Sequence, residues 1–526
     1  MSTAGSNLLQ PLFVGTRPLS HFVLHMLSLF RKLPSLVLVA VRSLGFKLVR
    51  FGKLFIIHYP YAAVLMASII ICELVVSRAY IYSCAWPRIV DFSDPTSGDN
   101  YGTVDAWEPA EVHIAVIADP QLTDAYAYDQ ESGILLYLTE IISDIYMKRN
   151  YRLLQQVLHP QHVIFAGDMM DGGREWKDDR YQRELSRLQV IFTKLDSKIT
   201  TIGVPGNHDI GFGDTVVDYA YQRFKSTFGT MNSVVTIANH RIICLDTVSL
   251  SSKRDTPAKL EAVKFMEEFE VVPSAMRNTK NILISHVPLY RPPHSDCGPR
   301  RVAKPITNMY GFQFQNLIQA QLTHEILEKF KPELIISGDD HDDCVYTHVY
   351  QNVTSIEHSV GTFSWLQGAS YPSFGVLSLR SAGAPPLYHN APSVQLDICS
   401  LPAQKYIYSL YISLLGIGTL WSAVSASIAS FKQQQGYVAM QEGPGLPSNH
   451  RTLKISRRAG TLRRCTCDGG GVASSAQMCL RGIACVTRPR FWLLWLLKLG
   501  ILIVPNVLLL IVIVLVDDAP TFVNLD

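Results

Sequence analysis

The chain has 526 residues, more than one ordinary domain requires. Only 17% of them are charged, and this low fraction argues against a wholly soluble protein and indicates membrane segments. The formal net charge of +3 hides an uneven distribution. Residues 1–53 contain Lys and Arg but no Asp or Glu, and residues 431–490 are again basic, with Glu442 and Asp468 as their only acids. No nucleic-acid partner is expected.

Three apolar runs are long enough to span a membrane, at residues 59–76, 406–428 and 491–516. The first contains Glu73 and the third contains Lys498, and each of these charges needs a partner or a path to the membrane surface. Short loops rich in Lys and Arg stay in the cytosol. The basic residues 1–54 and 431–490 are therefore predicted to be cytosolic, which leaves the region between the first two spans lumenal.

The predicted domain organisation follows from these spans. No cleavable signal peptide is expected at the start, and residues 21–51 fit either an amphipathic surface helix or a disordered tail. The cysteines of the second basic segment fit palmitoylation better than a zinc site. The segments are a basic cytosolic N-terminal segment (1–54), a transmembrane helix (55–79), a lumenal folded domain (80–404), a second transmembrane helix (405–430), a disordered cytosolic loop (431–490), a third transmembrane helix (491–516) and a lumenal tail (517–526).

The lumenal region alternates strand-like with helix-like runs. The helix-like runs are 133–149, 180–195, 258–269 and 316–330, and paired strands without helices between them are expected at 345–350, 355–359 and 374–379. This order predicts an α/β fold, a two-sheet sandwich flanked by helices. Asn352 begins the sequence Asn-Val-Thr, a glycosylation acceptor inside the predicted lumenal domain.

Five strand-like runs each lead into side chains that can bind metals. Open α/β sheets bind ligands beyond the carboxyl ends of their strands, so these side chains are expected to meet. One such loop would mean little, but five predict a metal site assembled from separate loops. The pairs of run and loop are 112–118 with Asp119-Pro120-Gln121, 163–166 with Gly167-Asp168-Met169-Met170-Asp171, 201–204 with Gly206-Asn207-His208-Asp209, 282–285 with His286, and 334–337 with Gly338-Asp339-Asp340-His341.

The order and spacing of these groups resemble the calcineurin-like metallophosphoesterases, whose usual pattern is D-x-H, G-D-x-x-D, G-N-H-[DE], H and G-H-x-H. Further local matches resemble one membrane-bound branch of that family. This branch consists of endoplasmic reticulum (ER) phosphoesterases that remove ethanolamine phosphate from glycosylphosphatidylinositol (GPI) anchors. The matching stretches are 167–176, 206–212, 286–291 and 363–374.

The resemblance implies two divalent metal ions that hold a phosphoryl group and activate the attacking water. Asp168 would bridge the two ions. His208 would lie over the phosphate and protonate the leaving oxygen, and Asp209 would orient His208. Asp171 is expected to position its loop rather than bind metal. The remaining ligands would be Asp119 and His341 on the first ion, and Asn207, His286 and Asp339 on the second.

Two residues depart from the usual pattern. Gln121 replaces the first-motif His and can coordinate through its amide oxygen, and Asp339 replaces the first His of the last motif. Both changes favour oxygen ligands, which suit Mn²⁺ better than Zn²⁺. Because Asp168, Asn207 and His208 are all retained, a variant active site is expected rather than an inactive one.

The function implied by the resemblance is removal of ethanolamine phosphate from the GPI glycan in the ER lumen, which would promote export of GPI-anchored proteins. The substrate would be the GPI lipid or the anchored protein, and ER export cargo receptors are further candidate partners. Residence in the ER membrane and cycling to the Golgi both stay open. Two alternatives are another lumenal phosphodiester, such as a phospholipid headgroup or a nucleotide, and a non-catalytic metal-binding scaffold.

Arginines and cysteines give further expectations. Arg174 and Arg291 are candidates for binding substrate phosphates, with structural salt bridges as the equal alternative. Cys244 lies in an apolar strand and is expected to be a buried free thiol. In an oxidising lumen, two disulfides are predicted. The predicted pairs are Cys84 with Cys399, which bracket the domain, and Cys297 with Cys344, which each follow a metal-ligand loop.

Overall fold

The computed structural model describes residues 59–89, 111–128, 133–269, 279–380, 393–441 and 489–518. Residues 68–413 belong to one compact unit, which contains the whole folded domain. The predicted N-terminal segment, the loop cysteines and most of the C-terminal tail lie outside the described residues.

The strands of the described residues are numbered in chain order. They are β1 (Glu111–Ile117), β2 (His162–Phe165), β3 (Thr200–Gly203), β4 (Ser233–Ile237), β5 (His240–Cys244), β6 (Lys280–Ile284), β7 (Tyr310–Gly311), β8 (Phe314–Gln315), β9 (Leu334–Ser337), β10 (Cys344–Tyr350), β11 (Val353–Ser359), β12 (Ser373–Arg380) and β13 (Val394–Ser400).

The helices of the same residues are numbered likewise. They are α1 (Pro60–Tyr82, with a π-helical turn at Ile71–Val76), α2 (Ile134–Leu158), α3 (Asp178–Ile191), α4 (Asn207–Ile210), α5 (Asp218–Phe228), α6 (Thr247–Leu250), α7 (Pro257–Glu268), α8 (Ala320–Phe330), α9 (Gln404–Gln441) and α10 (Pro489–Asp518).

Two mixed sheets form the domain. One has the strand order β13-β12-β1-β2-β3 and the other β10-β11-β9-β6-β5-β4, while β7 and β8 form a separate hairpin. Strands β1, β2 and β3 run parallel, as do β5, β6, β9 and β11. Their carboxyl ends therefore lie at one edge of each sheet, where the predicted ligands follow.

The apolar sequence of β1 is explained by burial of both its faces. Ile114 and Val116 pack in a cluster with Ile282 of β6 and Ile336 of β9, between the two sheets. The alternate residues of β1 belong to a second cluster, which the flanking helices also line. A strand that is covered on both sides has no polar face, so its sequence reads as a continuous apolar run.

The predicted α/β sandwich flanked by helices is confirmed. The four expected helices are present as α2, α3, α7 and α8, although α2 extends beyond residue 149 to Leu158. The three expected late strands are β10, β11 and β12. Strands β4 and β13 were not predicted, and both lie at sheet edges, where partial exposure weakens the apolar signal.

Three helices are long and apolar enough to cross a membrane, namely Pro60–Tyr82, Gln404–Gln433 and Phe491–Val514. Lys498 donates to Ser425 Oγ at 2.7 Å, so this charge has the polar partner that an apolar span requires. Helix α9 continues to Gln441, so the first residues of the predicted disordered loop are helical.

Both predicted cysteine pairs are joined in the structure. Cys84 and Cys399 have Cα atoms 5.7 Å apart and link the segment after α1 to β13. Cys297 and Cys344 have Cα atoms 4.4 Å apart and pin a loop to the start of β10. Cys244 is a buried free thiol, as expected.

Candidate metal centre

Five of the seven predicted ligands sit on strained backbone at the ends of strands. Asp119, Gln121, Asp168, Asp339 and His341 all have positive φ angles, between 39° and 67°. Residues other than glycine rarely adopt this conformation unless the surrounding structure imposes it. Such outliers concentrate at functional sites, so the backbone itself marks this edge of the sheets as a site.

Glycines make room for the ligands. A Cβ atom at Gly206 would lie 2.0 Å from Asp168 Oδ1 and 2.3 Å from the Asp168 backbone nitrogen. At Gly167, which has a φ of +97°, a Cβ would lie 2.3 Å from His286 Nδ1. The glycines in these motifs are therefore required by close packing around the ligand side chains.

Asp119, Asp168 and His286 form the buried centre of the site, with potential ligand atoms all within 4.8 Å of one another. His286 Nε2 lies 3.4 Å from Asp168 Oδ1 and 3.5 Å from Asp339 Oδ1. His286 Nδ1 lies 2.8 Å from the Ala166 carbonyl oxygen, which orients the ring by its other nitrogen. Backbone support of this kind is typical of metal-binding histidines.

Asn207 and Gln121 complete the oxygen-rich side of the site. Asn207 Oδ1 lies 3.2 Å from His286 Nε2, while its Nδ2 donates to the Gln313 carbonyl at 3.0 Å. Gln121 Nε2 points to Asp168 Oδ2 at 3.5 Å. Gln121 Oε1 is buried without a hydrogen-bond partner among the described residues. An orphaned buried acceptor beside carboxylates fits a cation.

The buried carboxylates at the centre also favour bound cations. Burial raises the pKa of the Asp119 carboxyl well above its ordinary value, and the Asp168 and Asp339 carboxylates raise it further. Burial disfavours charge on Asp168 too, but the His286, His208 and His341 imidazoles together with the His208 backbone amide outweigh burial and lower the Asp168 pKa. Burial lowers the pKa of His341, which keeps the imidazole neutral and able to act as a ligand. The donor set of carboxylates, amide oxygens and imidazoles fits divalent ions.

His208 projects from α4 beside this centre. Its Nδ1 lies 2.6 Å from the Asp171 carbonyl oxygen and 3.2 Å from Asp171 Oδ1. Burial disfavours the imidazolium, but the Asp168 and Asp171 carboxylates outweigh burial and raise the His208 pKa to about 9. Because Nδ1 is engaged, Nε2 is the nitrogen that can face a substrate.

The contacts of Asp209 differ from those expected of a residue that orients His208. Its carboxylate accepts from the backbone amides of Met169 at 3.0 Å and Gly206 at 2.9 Å, so it ties two loops together. Burial raises its pKa to about 7. Asp171, which was expected only to position its loop, hydrogen-bonds to the His208 ring.

The two arginines expected at the substrate are both internal. Arg174 is buried, with Nη1 donating to the Asn207 carbonyl at 2.7 Å and Nη2 donating to the Tyr126 hydroxyl at 2.8 Å. Arg291 is fully buried and pairs with Glu357 at 2.8 Å. The structure thus favours the structural alternative for both, because their guanidinium groups are already engaged.

Three residues near the site were missed from the sequence. Tyr126 lies edge-on to the His208 ring, with the ring centres 6.2 Å apart. Gln313 holds Asn207 through its backbone carbonyl, and Thr362 Oγ1 donates to the Asp119 carbonyl at 2.7 Å. No short motif signals these contacts, because Gln313 and Thr362 act on ligands more than 100 residues away.

Comparison with known proteins agrees with this geometry. The calcineurin-like phosphoesterase model matches residues 112–343. Cell division control protein 1 of Saccharomyces cerevisiae is 35% identical over 344 residues, which cover 63% of this chain and 69% of the yeast protein. The chain belongs to the calcineurin-like phosphoesterase family. As a member of that family it is a metal-dependent phosphoesterase, and the scaffold alternative is set aside.

Other matches of this phosphoesterase are more distant. Metallophosphoesterase 1 of Gallus gallus is 23% identical over 365 residues, covering 65% of this chain and 83% of the avian protein. A solved dimetal phosphatase from Danio rerio is 13% identical, with a TM-score of 0.33. The match covers 56% of this chain and 100% of the zebrafish chain.

Proposed function

We propose that this phosphoesterase is a dinuclear-metal phosphodiesterase that removes ethanolamine phosphate from the glycan of GPI anchors. Water would attack phosphorus, releasing phosphoethanolamine and leaving a mannose hydroxyl. The GPI lipid or a GPI-anchored protein would be the substrate, and ER export cargo receptors would be further partners.

The short path from the metal centre to a candidate membrane span carries this proposal. Thr362 supports the Asp119 backbone, and three residues later the Trp365 ring lies 5.4 Å from the Tyr408 ring. Tyr408 belongs to the span that begins at Gln404. A site held this close to a span suits a substrate that is tethered to the same bilayer, as a GPI anchor is.

Each residue of the site would have a distinct role. Asp119, Gln121, Asp168, Asn207, His286, Asp339 and His341 would hold the two ions, which when bound would supply phosphoryl binding and an activated water. His208, held at Nδ1 by Asp171, would present Nε2 to the leaving mannose oxygen and donate its proton. Arg174 would fix the loop that carries Asn207 and His208.

Manganese is the ion we propose for this centre. Gln121 and Asp339 replace imidazoles with oxygen donors, and oxygen donors suit hard ions such as Mn²⁺. The Gln121 amide oxygen, which has no hydrogen-bond partner among the described residues, is available for such an ion.

We also propose that the catalytic domain faces the ER lumen. Two disulfides, Cys84–Cys399 and Cys297–Cys344, suit an oxidising compartment. The glycosylation acceptor Asn352 is exposed in the turn between β10 and β11, where a transferase could reach it. The basic residues 1–54 and 431–490, which flank the spans in sequence, agree with this orientation.

Mass spectrometry of GPI glycans from cells that lack the protein tests the proposal. The glycans are expected to keep an ethanolamine phosphate that wild-type cells remove. Wild-type protein should restore its removal, whereas an equally expressed His208→Ala protein should not. Unchanged ethanolamine phosphate would contradict the proposal, and an altered phospholipid headgroup profile instead would move the substrate to that class.

A further inference from the structure

Helix α2 begins with an apolar surface that the described part of the chain leaves uncovered. In its first two turns the side chains of Ile134, Leu135, Tyr137 and Leu138 are 80%, 67%, 62% and 46% exposed. Only Leu136 among these five consecutive apolar residues is buried. A patch of four large neighbouring apolar side chains is unusual on a soluble surface and marks an interaction site.

Farther along, α2 packs against the ends of two candidate spans. Arg149 of α2 pairs with Glu73 of α1, and the Tyr411 hydroxyl of α9 donates to the same carboxylate at 2.7 Å. All three residues belong to the same compact unit. Glu73 and Arg78 are the charged residues of α1 and both lie in the half that leads into the domain, so the contact with buried Glu73 places the middle of α2 at the membrane boundary.

Two further contacts give the direction in which α2 runs. At its end, the Leu158 carbonyl accepts from Trp86 Nε1 at 2.9 Å, beyond the last residue of α1. Twelve residues earlier, the Tyr146 hydroxyl donates to the Pro402 carbonyl at 2.9 Å, just before the second span begins. Trp86 and Pro402 follow the bridged Cys84 and Cys399 by two and three residues, so Leu158 and Tyr146 contact the same level and α2 runs along the membrane boundary.

The start of α2 continues in that direction. Helices rise 1.5 Å per residue, so Ile134 lies about 18 Å beyond Tyr146 along the helix axis. The exposed apolar residues thus stay at the level of the boundary that Glu73 and Arg149 define. A bilayer supplies an apolar environment at this position.

We propose that the start of α2, residues 134–138, inserts into the lipid leaflet next to the catalytic domain and fixes the active site on the bilayer surface. The occupant is lipid, at the boundary between headgroups and acyl chains. Leucine and isoleucine suit the acyl side, and Tyr137 suits the headgroup level. The segment is too short to cross a membrane, so it would enter one leaflet only.

The position of this segment links it to catalysis. The 3₁₀ turn Ala125–Tyr128 comes shortly before α2, and its Tyr126 contacts both the His208 ring and Arg174. Anchoring the start of α2 in lipid would hold the His208 side of the site at the level where a GPI glycan leaves the membrane. This consequence rests on the proposed function, whereas the lipid contact itself does not.

Spin-label depth measurement on the full chain in phosphatidylcholine nanodiscs tests the lipid contact directly. Cysteines are placed one at a time at Leu135, Leu138 and Val349, after the four loop cysteines are changed to serine. Val349 is the matched control, since it is apolar, 74% exposed and close to Asn352, at the sheet edge opposite the metal centre. Labels at 135 and 138 should collide more with oxygen than with a water-soluble nickel chelate, and the label at 349 should do the reverse. If the nickel chelate reaches labels at 135 and 138 as readily as the label at 349, the segment is not in lipid and the proposal is overturned.

An activity measurement then tests the consequence. Leu135→Asn with Leu138→Asn removes apolar surface without opening the core, because both side chains are exposed. Hydrolysis of GPI lipid in membranes should fall about tenfold, while hydrolysis of soluble bis(p-nitrophenyl) phosphate should not change. Val349→Asn should change neither rate. Equal loss on both substrates would assign the segment to folding instead. A wild-type chain that never acts on GPI lipid would refute the proposed function and leave the depth result intact.

Discussion

Replacement of Arg291 by Met should destabilise the domain without weakening substrate binding. Arg291 and Glu357 are both fully buried, with the guanidinium 2.8 Å from the carboxylate. Glu357 also accepts from His348 Nε2 at 2.6 Å, Leu289 N at 3.1 Å and Ser337 Oγ at 2.7 Å. Removing the arginine would leave a buried carboxylate with most of its hydrogen bonds but without its strongest cation.

The structure indicates how large the loss of stability is and how it depends on pH. Burial raises the Glu357 pKa, but Arg291 and His348 outweigh it and lower the pKa from 4.5 to about 2. A depressed carboxyl pKa stabilises the fold above pH 4.5, and this stability is lost as pH falls towards 2. The difference of roughly 2.5 pKa units is worth about 3 kcal/mol, and breaking a buried pair costs about 3–5 kcal/mol. The penalty of Arg291→Met should therefore be largest near pH 7 and smaller near pH 4, where the unpaired carboxyl can be protonated.

Thermal unfolding of the detergent-solubilised chain, followed by tryptophan fluorescence, measures this penalty. At pH 7 the midpoint should fall by about 10 °C, since 1 kcal/mol corresponds to roughly 2–4 °C in a domain of this size. The control is Arg300→Met, which breaks an exposed pair with Asp397 and should cost less than about 1 kcal/mol. A normal midpoint combined with a raised KM for a soluble phosphodiester would show that Arg291 binds phosphate and would refute this reasoning.

Three further outcomes are expected. Gly206→Ala should abolish metal binding and activity, because the added Cβ would lie 2.0 Å from Asp168 Oδ1. Gly416→Ala is the control and should be neutral, because its added Cβ would have no atom of the described residues within 4 Å. Metal analysis of both purified variants tests this prediction. Asp339→His should shift the preference from Mn²⁺ towards Zn²⁺, and equal wild-type activity with the two ions would contradict the argument from oxygen ligands. Protease added to intact microsomes should cut within residues 431–490 and spare residues 80–404, and digestion of the domain without detergent would refute the proposed orientation.

The central strands of the sheets could be predicted because each is a continuous apolar run in the sequence. Residues such as Ile114 and Val116 are buried on a strand whose other face is also buried, so an apolar run ending at Asp119 is a strong local signal. The Cys84–Cys399 pair was accessible to similar reasoning, since the two cysteines bracket the domain. These features depend on neighbours in sequence or on the ends of the domain.

Roles set by contacts between distant loops could not be predicted. Asp209 stands next to His208 in sequence, yet it bonds to backbone amides, and Asp171, from another loop, contacts the His208 ring. Arg291 follows a metal-ligand loop, but its partner Glu357 lies 66 positions away on β11. An arginine near a phosphate site and an arginine that neutralises a buried carboxylate have the same sequence signal, and only the packing separates them.

The central claim is tested most directly with purified full-length protein and a GPI lipid that carries ethanolamine phosphate. Wild-type protein with Mn²⁺ should release phosphoethanolamine in equal amounts with the newly exposed mannose hydroxyl. His208→Ala should keep its metal content and lose about 10²–10⁴-fold in rate. Absence of release by a wild-type preparation that hydrolyses a soluble phosphodiester would contradict the claim, as would full activity of His208→Ala.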